Sequence, residues 1–225
     1  MAEWMIDGPG IALPSDAVLL DEARHGAVRR TPRPRLAIRL LEMVVHENGR
    51  WFGESHVRLD VLVVHGGSAS GTEYAPQTFA FPRVADGDRL PIGQGGLLLF
   101  HGRPKWFLSM FVALSRDVPG APGLPALLND IAASDPAVEL QAQALSLATG
   151  LPDPDILGLA VQGTWAVGGA ALARLTMETR STIGVYRDSW LRGRDSWGVG
   201  RHPHEGLLRA KDVSFAFEII EENEE

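Results

Sequence analysis

Cysteine is absent from this chain of 225 residues. That excludes a disulfide framework, thiolate metal sites and Cys–His nucleophilic chemistry, while leaving the compartment open. Lysine is scarce: 19 of the 21 basic residues are arginine, which fits a GC-rich, bacterial-like coding bias as well as a functional demand. A basic excess is lacking too. The net charge of −7 excludes broad nucleic-acid binding, because that needs phosphate neutralisation over a wide surface. The N-terminus, MAEWMIDGPG, has no basic stretch followed by an apolar run. No classical secretion signal is expected, and the reading is a cytoplasmic protein.

Catalytic signatures are equally scarce. No HExxH occurs, and GGSASG around Ser68 and Ser70 lacks the spacing of a nucleophile elbow. The Gly-x-Gly-Gly within Pro91–Gly96 runs into the β-like LLLF. A dinucleotide fingerprint needs a helix there, so a turn is expected instead. A Ser-His-Asp triad assembled only in the fold stays open. One long apolar run exists, Ile156–Ala173, with 18 residues and no charge. Its four glycines, with Gln162 and Thr164, point to a buried helix or helix pair rather than a membrane span.

What is present is two-residue periodicity. Leu36–His46 is β-rich and is followed by Glu47-Asn48-Gly49-Arg50, an Asn-Gly hairpin signal. The next run places Val57, Leu59, Val61 and Val63 on one face and Arg58 and Asp60 on the other. This predicts a hairpin over 36–64 whose second strand is half-buried. A loop is expected over 66–77, then strands at 78–81, 96–101 and 105–115. The last carries aromatics on both faces, as a central strand covered on each side would. Helices are expected over 124–133, from Asp135-Pro136 to about Leu147, and from Asp155. Strands return at 182–186 and 213–220.

Strands, helices, then strands predict an α+β chain: an antiparallel β-sandwich with a helical insertion near residues 120–175. The division is an irregular arm over 1–35, one domain over 36–220 and an acidic tail over 221–225. The arm contains RHGAVRRTPRPR, five arginines without an acid; it reads as a solvated arm or an anion-binding one.

Tyr186–His204 is the densest cluster of recognition-type side chains. It holds Arg187, Arg192, Arg194 and Arg201 with Trp190 and Trp197, and Arg-Asp-Ser-Trp occurs in it twice. Guanidinium and indole groups desolvate easily and stack, so an exposed binding surface is expected, to which His202 belongs. Local Arg–Asp salt bridges with both indoles pinning the loop to the core would be the bland reading. His202-Pro203-His204 sets two imidazoles as a zinc pair might, with Glu205 and His101 as possible further ligands. Asp86-Gly87-Asp88 places two carboxylates on one tight loop. It reads as a turn or as a calcium site, with Asp117, Asp188 and Asp195 as further candidates.

The strands, the Asp-Gly-Asp loop and the final strand resemble C2-type β-sandwiches. That resemblance implies binding of membranes or proteins through loops at one end, often with calcium on clustered aspartates. The expected function is a non-catalytic binding module that engages an acidic protein partner, a glycan or lipid headgroups through 186–204. No cofactor is expected, calcium apart. Two alternatives stay open: a hydrolase using His202 or His204 with a carboxylate, and a membrane-active protein that exposes 156–173.

Overall fold

Alternating apolar residues do build strands, and the strands form two antiparallel sheets. The computed structural model describes residues 34–66, 72–128 and 182–222, all within the unit Pro32–Glu225. The strands are β1 (Arg35–Val45), β2 (Ser55–Gly66), β3 (Thr72–Val84), β4 (Leu97–Gly102), β5 (Phe107–Arg116), β6 (Thr182–Leu191), β7 (Gly200–His202), β8 (Leu208–Ala210) and β9 (Val213–Glu222). One sheet has the order β4-β1-β9-β7, with β8 also on β9; the other has the order β3-β2-β5-β6. Their inner faces share one apolar cluster, which gives a sandwich-like architecture.

The expected hairpin over 36–64 does not form. β1 pairs with β4 and β9, whereas β2 pairs with β3 and β5. Both strands are apolar enough to be central. Stacking them face to face buries Leu36, Ile38 and Leu40 together with Val57, Leu59 and Val61, which edge-to-edge pairing would not do. The Asn-Gly signal marks a reversal of the chain, and here the reversal passes from one sheet to the other.

β2 is also not half-buried. Leu62 and Val64 on its outer face join Phe107, Phe111 and Ala113 of β5. Leu124, Leu127 and Leu128 of the helical stretch 124–128 cover them. β5 is thus covered on both faces, as expected, and fully burying a side chain such as Phe111 stabilises by about 1.5–3 kcal/mol. The same outer face encloses a charge pair. Arg58 Nε lies 2.8 Å from Asp60 Oδ2, and both side chains are buried. Asp60 Oδ1 accepts the Thr78 hydroxyl at 2.7 Å.

β3 begins inside the expected loop 66–77. Pro76 and Pro82 make the segment look irregular in sequence. An edge strand tolerates proline because one row of its backbone groups needs no partner, and β3 is an edge. At the other end of the chain, β9 runs to Glu222, so the first two residues of the expected acidic tail belong to a strand paired with β1. Residues 1–33, 67–71, 129–181 and 223–225 lie outside the described residues. They include nearly all of the expected arm, most of the expected helical insertion and the apolar stretch 156–173. No helix among the described residues is long and apolar enough to cross a membrane.

Candidate functional site

Tyr186–His204 is not one loop. β6 runs through the first Arg-Asp-Ser-Trp copy and places Trp190 opposite Leu108 of β5, facing inward. A single helical turn (Arg192–Asp195) and a 3-10 turn (Ser196–Gly198) then lead into β7. The second copy ends in left-handed backbone, with φ of 45° at Ser196 and 64° at Trp197. Gly198 follows in the same region, and a Cβ there would run into the Trp190 indole. Only glycine meets both demands.

Trp190 and Trp197 are 5% and 4% exposed, which corrects the expectation that the two indoles lie on an exposed surface. Alternation along β6 turns Trp190 inward, and the left-handed turn folds Trp197 back onto the same core. Around them the His202 ring stacks on Phe217 at 4.8 Å, and Tyr186 meets Phe215 edge-on at 5.2 Å. Burial, then the neighbouring Asp188 carboxylate that accepts its hydroxyl, raises the pKa of Tyr186 well above the ordinary phenol value.

The polar members of the segment hold it together. Arg201 donates to the carbonyls of Pro203, His204 and Gly206 at 2.7, 3.2 and 2.8 Å, so its guanidinium organises the 203–206 turn. Asp195 accepts the Leu191 N–H at 3.0 Å. The Arg192 N–H donates to Trp106 O at 3.0 Å, and its side chain is half-buried. Arg187 is exposed on the outward face of β6, while the side chain of Arg194 lies outside the described residues. His202 Nε2 lies 2.6 Å from Gly198 O. Neither His202 nor His204 forms an ion pair with a carboxylate among the described residues.

Asp86 and Asp88 serve the loops. Asp86 Oδ1 accepts the Asn48 N–H and Asp88 Oδ2 accepts the Ala85 N–H, both at 2.7 Å. Among the described residues no three His, Asp or Glu side chains gather where one ion could be held. The calcium and zinc expectations therefore find no ligand set there. His101, the outlying zinc candidate, lies 2.9 Å from Glu222 instead.

The loop 46–54 carries what sequence reasoning missed. Asn48 is fully buried. Its Nδ2 donates to Gly53 O at 2.8 Å and Val84 O at 2.9 Å, and its Oδ1 accepts the Arg50 N–H at 2.8 Å. Arg50 Nη1 donates to Glu54 O at 2.8 Å. On this braced loop Trp51 and Phe52 are 89% and 82% exposed. Their rings meet edge to face at 6.1 Å. The available signal was an aromatic pair placed between two strands, where neither strand's pleat can bury it.

Comparison of the chain with protein-family models, curated proteins and solved structures gives no match.

Proposed function

We propose that the chain is a non-catalytic binding module whose contact point is the tip of the loop 46–54, with Trp51 and Phe52 as apolar anchors for a protein partner. The observation that carries this reading is the near-complete exposure of two adjacent aromatic rings on a backbone locked by buried Asn48. Exposed large aromatics forgo their burial energy, and a preorganised loop presents them without an ordering cost on binding. Aromatic side chains of this kind are the usual energetic centres of interfaces.

The surroundings indicate the partner's chemistry. Glu47, Glu54, Asp86 and Asp88 are all exposed on the two loops joined by the Asn48–Asp86 contact. Exposed Arg50 on the same loop, with Arg83 and Arg89 beside the Asp86–Asp88 turn, gives the rim both signs of charge, which suits an apolar pocket with a mixed polar rim. The two tryptophans of the arginine–tryptophan segment then have a structural role at edge strands β6 and β7. C2-type domains also work through end loops, and the resemblance adds that much to the proposal.

A photo-reactive residue at position 51 tests the reading in extracts of the native host. The expected result is one discrete adduct, competed by the unmodified chain but not by a W51A/F52A chain. No adduct, or equal competition by both chains, ends the proposal. Co-sedimentation of the wild-type chain with anionic vesicles, lost in W51A/F52A, would assign the loop to a membrane surface instead.

A further inference from the structure

A separate feature lies where the edge strands β3 and β4 leave the two sheets open, away from the side closed by Trp190. A cavity of about 600 Å³ lies there, lined by residues of β2, β3 and β4 and the residue after β4. That volume is within the range of small-molecule sites, roughly 300–1,000 Å³. Its floor is His65 against Phe100, ring centroids 5.0 Å apart and edge to face. Ala75 adds apolar surface beside them. Gly102 lies against Phe100, where a Cβ would sit 2.7 Å from the ring.

Most polar side chains of the lining are already answered. His101 Nε2 lies 2.9 Å from Glu222 Oε2, and Tyr74 and Arg103 each have an interaction partner. The exception is the pair His65 and Glu73, which stand directly opposite each other on β2 and β3 and so share one face. The His65 side chain is buried, and its Nδ1 lies 3.3 Å from Gly66 O. A carbonyl can only accept, so Nδ1 carries the proton and Nε2 offers a lone pair. Burial lowers the pKa of His65 from its ordinary 6.5, which favours the neutral ring. Nε2 lies 3.7 Å from Glu73 Oε2, and two acceptors at that distance make no hydrogen bond to each other. Glu73 is more than half exposed and has no lysine or arginine partner among the described residues. The cavity thus presents an unanswered pair of acceptors, one of them anionic, above an apolar floor.

We propose that this cavity binds a primary amine, in its ammonium form, carried on an apolar body. The ammonium nitrogen bridges His65 Nε2 and Glu73 Oε2, since a nitrogen about 2.9 Å from each atom spans the gap between them. The apolar body rests on Phe100 and Ala75. Charge favours a cation over a neutral donor, because water or an alcohol would leave Glu73 without a counter-charge and forgo the stronger charge-assisted bond. The lone pair on Nε2 favours a primary ammonium over a quaternary one, which brings the charge but no N–H. His101 and Arg103 are not ligands in this arrangement and keep the partners they have. This inference does not depend on the Trp51 loop.

The test is a titration of the full chain, followed by NMR and thermal shift, with phenethylamine, cyclohexylmethylamine and n-butylamine at up to about 10 mM each. Phenethyl alcohol, hydrocinnamate and phenethyltrimethylammonium are the matched probes: a neutral head, an anionic head and a cation without an N–H. At least one primary amine is expected to shift the His65 ring resonances and raise the Tm, with all three matched probes weaker than the best amine by about tenfold or more. Glu73→Gln, a change at an exposed side chain, should weaken amine binding by about tenfold to a hundredfold. W51A/F52A should leave it unchanged. The proposal is overturned if no primary amine shifts His65, if any matched probe binds as well as the best amine, or if the Glu73→Gln chain binds that amine as tightly as the wild-type chain does.

Discussion

The Trp190 indole and the His202 imidazole meet with ring centroids 5.6 Å apart, although Trp190 belongs to one sheet and His202 to the other. Phe217 of β9 touches both rings. The contact joins edge strand β6 to edge strand β7, so aromatic packing covers this side of the core. The two indoles of the segment richest in recognition-type residues are thereby part of the core.

Stability measurements separate these roles. Trp190→Ala and Trp197→Ala should each cost about 3–5 kcal/mol, the range for emptying a buried aromatic site. Gly198→Ala should cost about 2–4 kcal/mol, combining left-handed strain with a collision against Trp190. Arg187→Ala, on the exposed face of the same strand, should stay within about 0.5 kcal/mol. Urea denaturation of the four chains checks the pattern. Near-wild-type stability in both tryptophan variants would show that the indoles seal nothing.

Strand positions were legible because two-residue alternation reports which residues share a face, as in Val57 to Val63. Pairing was not, because alternation says nothing about which neighbour a strand takes; β1 and β2 are consecutive and belong to different sheets. Burial of the second face was also hidden. Arg58 and Asp60 look like solvent-facing residues until the covering residues Leu124 and Leu127 come from elsewhere in the chain. The cavity around His65 assembles residues from strands distant in sequence, so no local motif announces it. Trp51 and Phe52 were readable in principle, since both follow a reversal where no pleat can hide them.

The enclosed charge pair gives a second prediction. Asp60→Ala removes the partner of Arg58 Nε and the acceptor of the Thr78 hydroxyl. Stranding a buried guanidinium in this way should cost about 3–5 kcal/mol. Arg58 Nη2 is already buried without a hydrogen-bond partner, and the freed group keeps only long contacts from Nη1 to Ala121 O at 3.5 Å and to Asp117 Oδ1 at 4.0 Å. Arg58→Met together with Asp60→Leu should lose less than Asp60→Ala alone, because no lone charge remains. Chemical denaturation of the three chains decides it, and a double variant worse than Asp60→Ala would refute the reasoning.

His65 links stability to pH. Its folded-state pKa is lowered, chiefly by burial, with the Gly66 hydrogen bond and the Glu73 charge opposing that shift. Between the unfolded value near 6.5 and the lower folded value, the unfolded chain binds more protons. Stability from this group is therefore complete above the unfolded pKa and is lost as pH falls through that window. Glu73, His101 and Arg103 line the same cavity, and Glu222 pairs with His101. The discriminating experiment is His65→Gln, which should flatten the acid side of the stability profile below the ordinary histidine value of 6.5. An unchanged slope would mean that His65 titrates alike in both states.

The last prediction sets the brace of the loop against its tip. Asn48→Ala leaves two carbonyls and one N–H without their side-chain partners. Because these groups lie at a loop that water can partly re-enter, the expected loss is about 2–4 kcal/mol rather than the full sum of buried hydrogen bonds. W51A/F52A removes only exposed rings, so stability should change by less than about 0.5 kcal/mol. Limited proteolysis adds a local readout. Cutting within 50–53 should accelerate in Asn48→Ala and stay at the wild-type rate in W51A/F52A. If removing the rings loosened the loop as much as removing Asn48 does, Trp51 and Phe52 would be part of the loop's own packing. They would then not be held out for a partner.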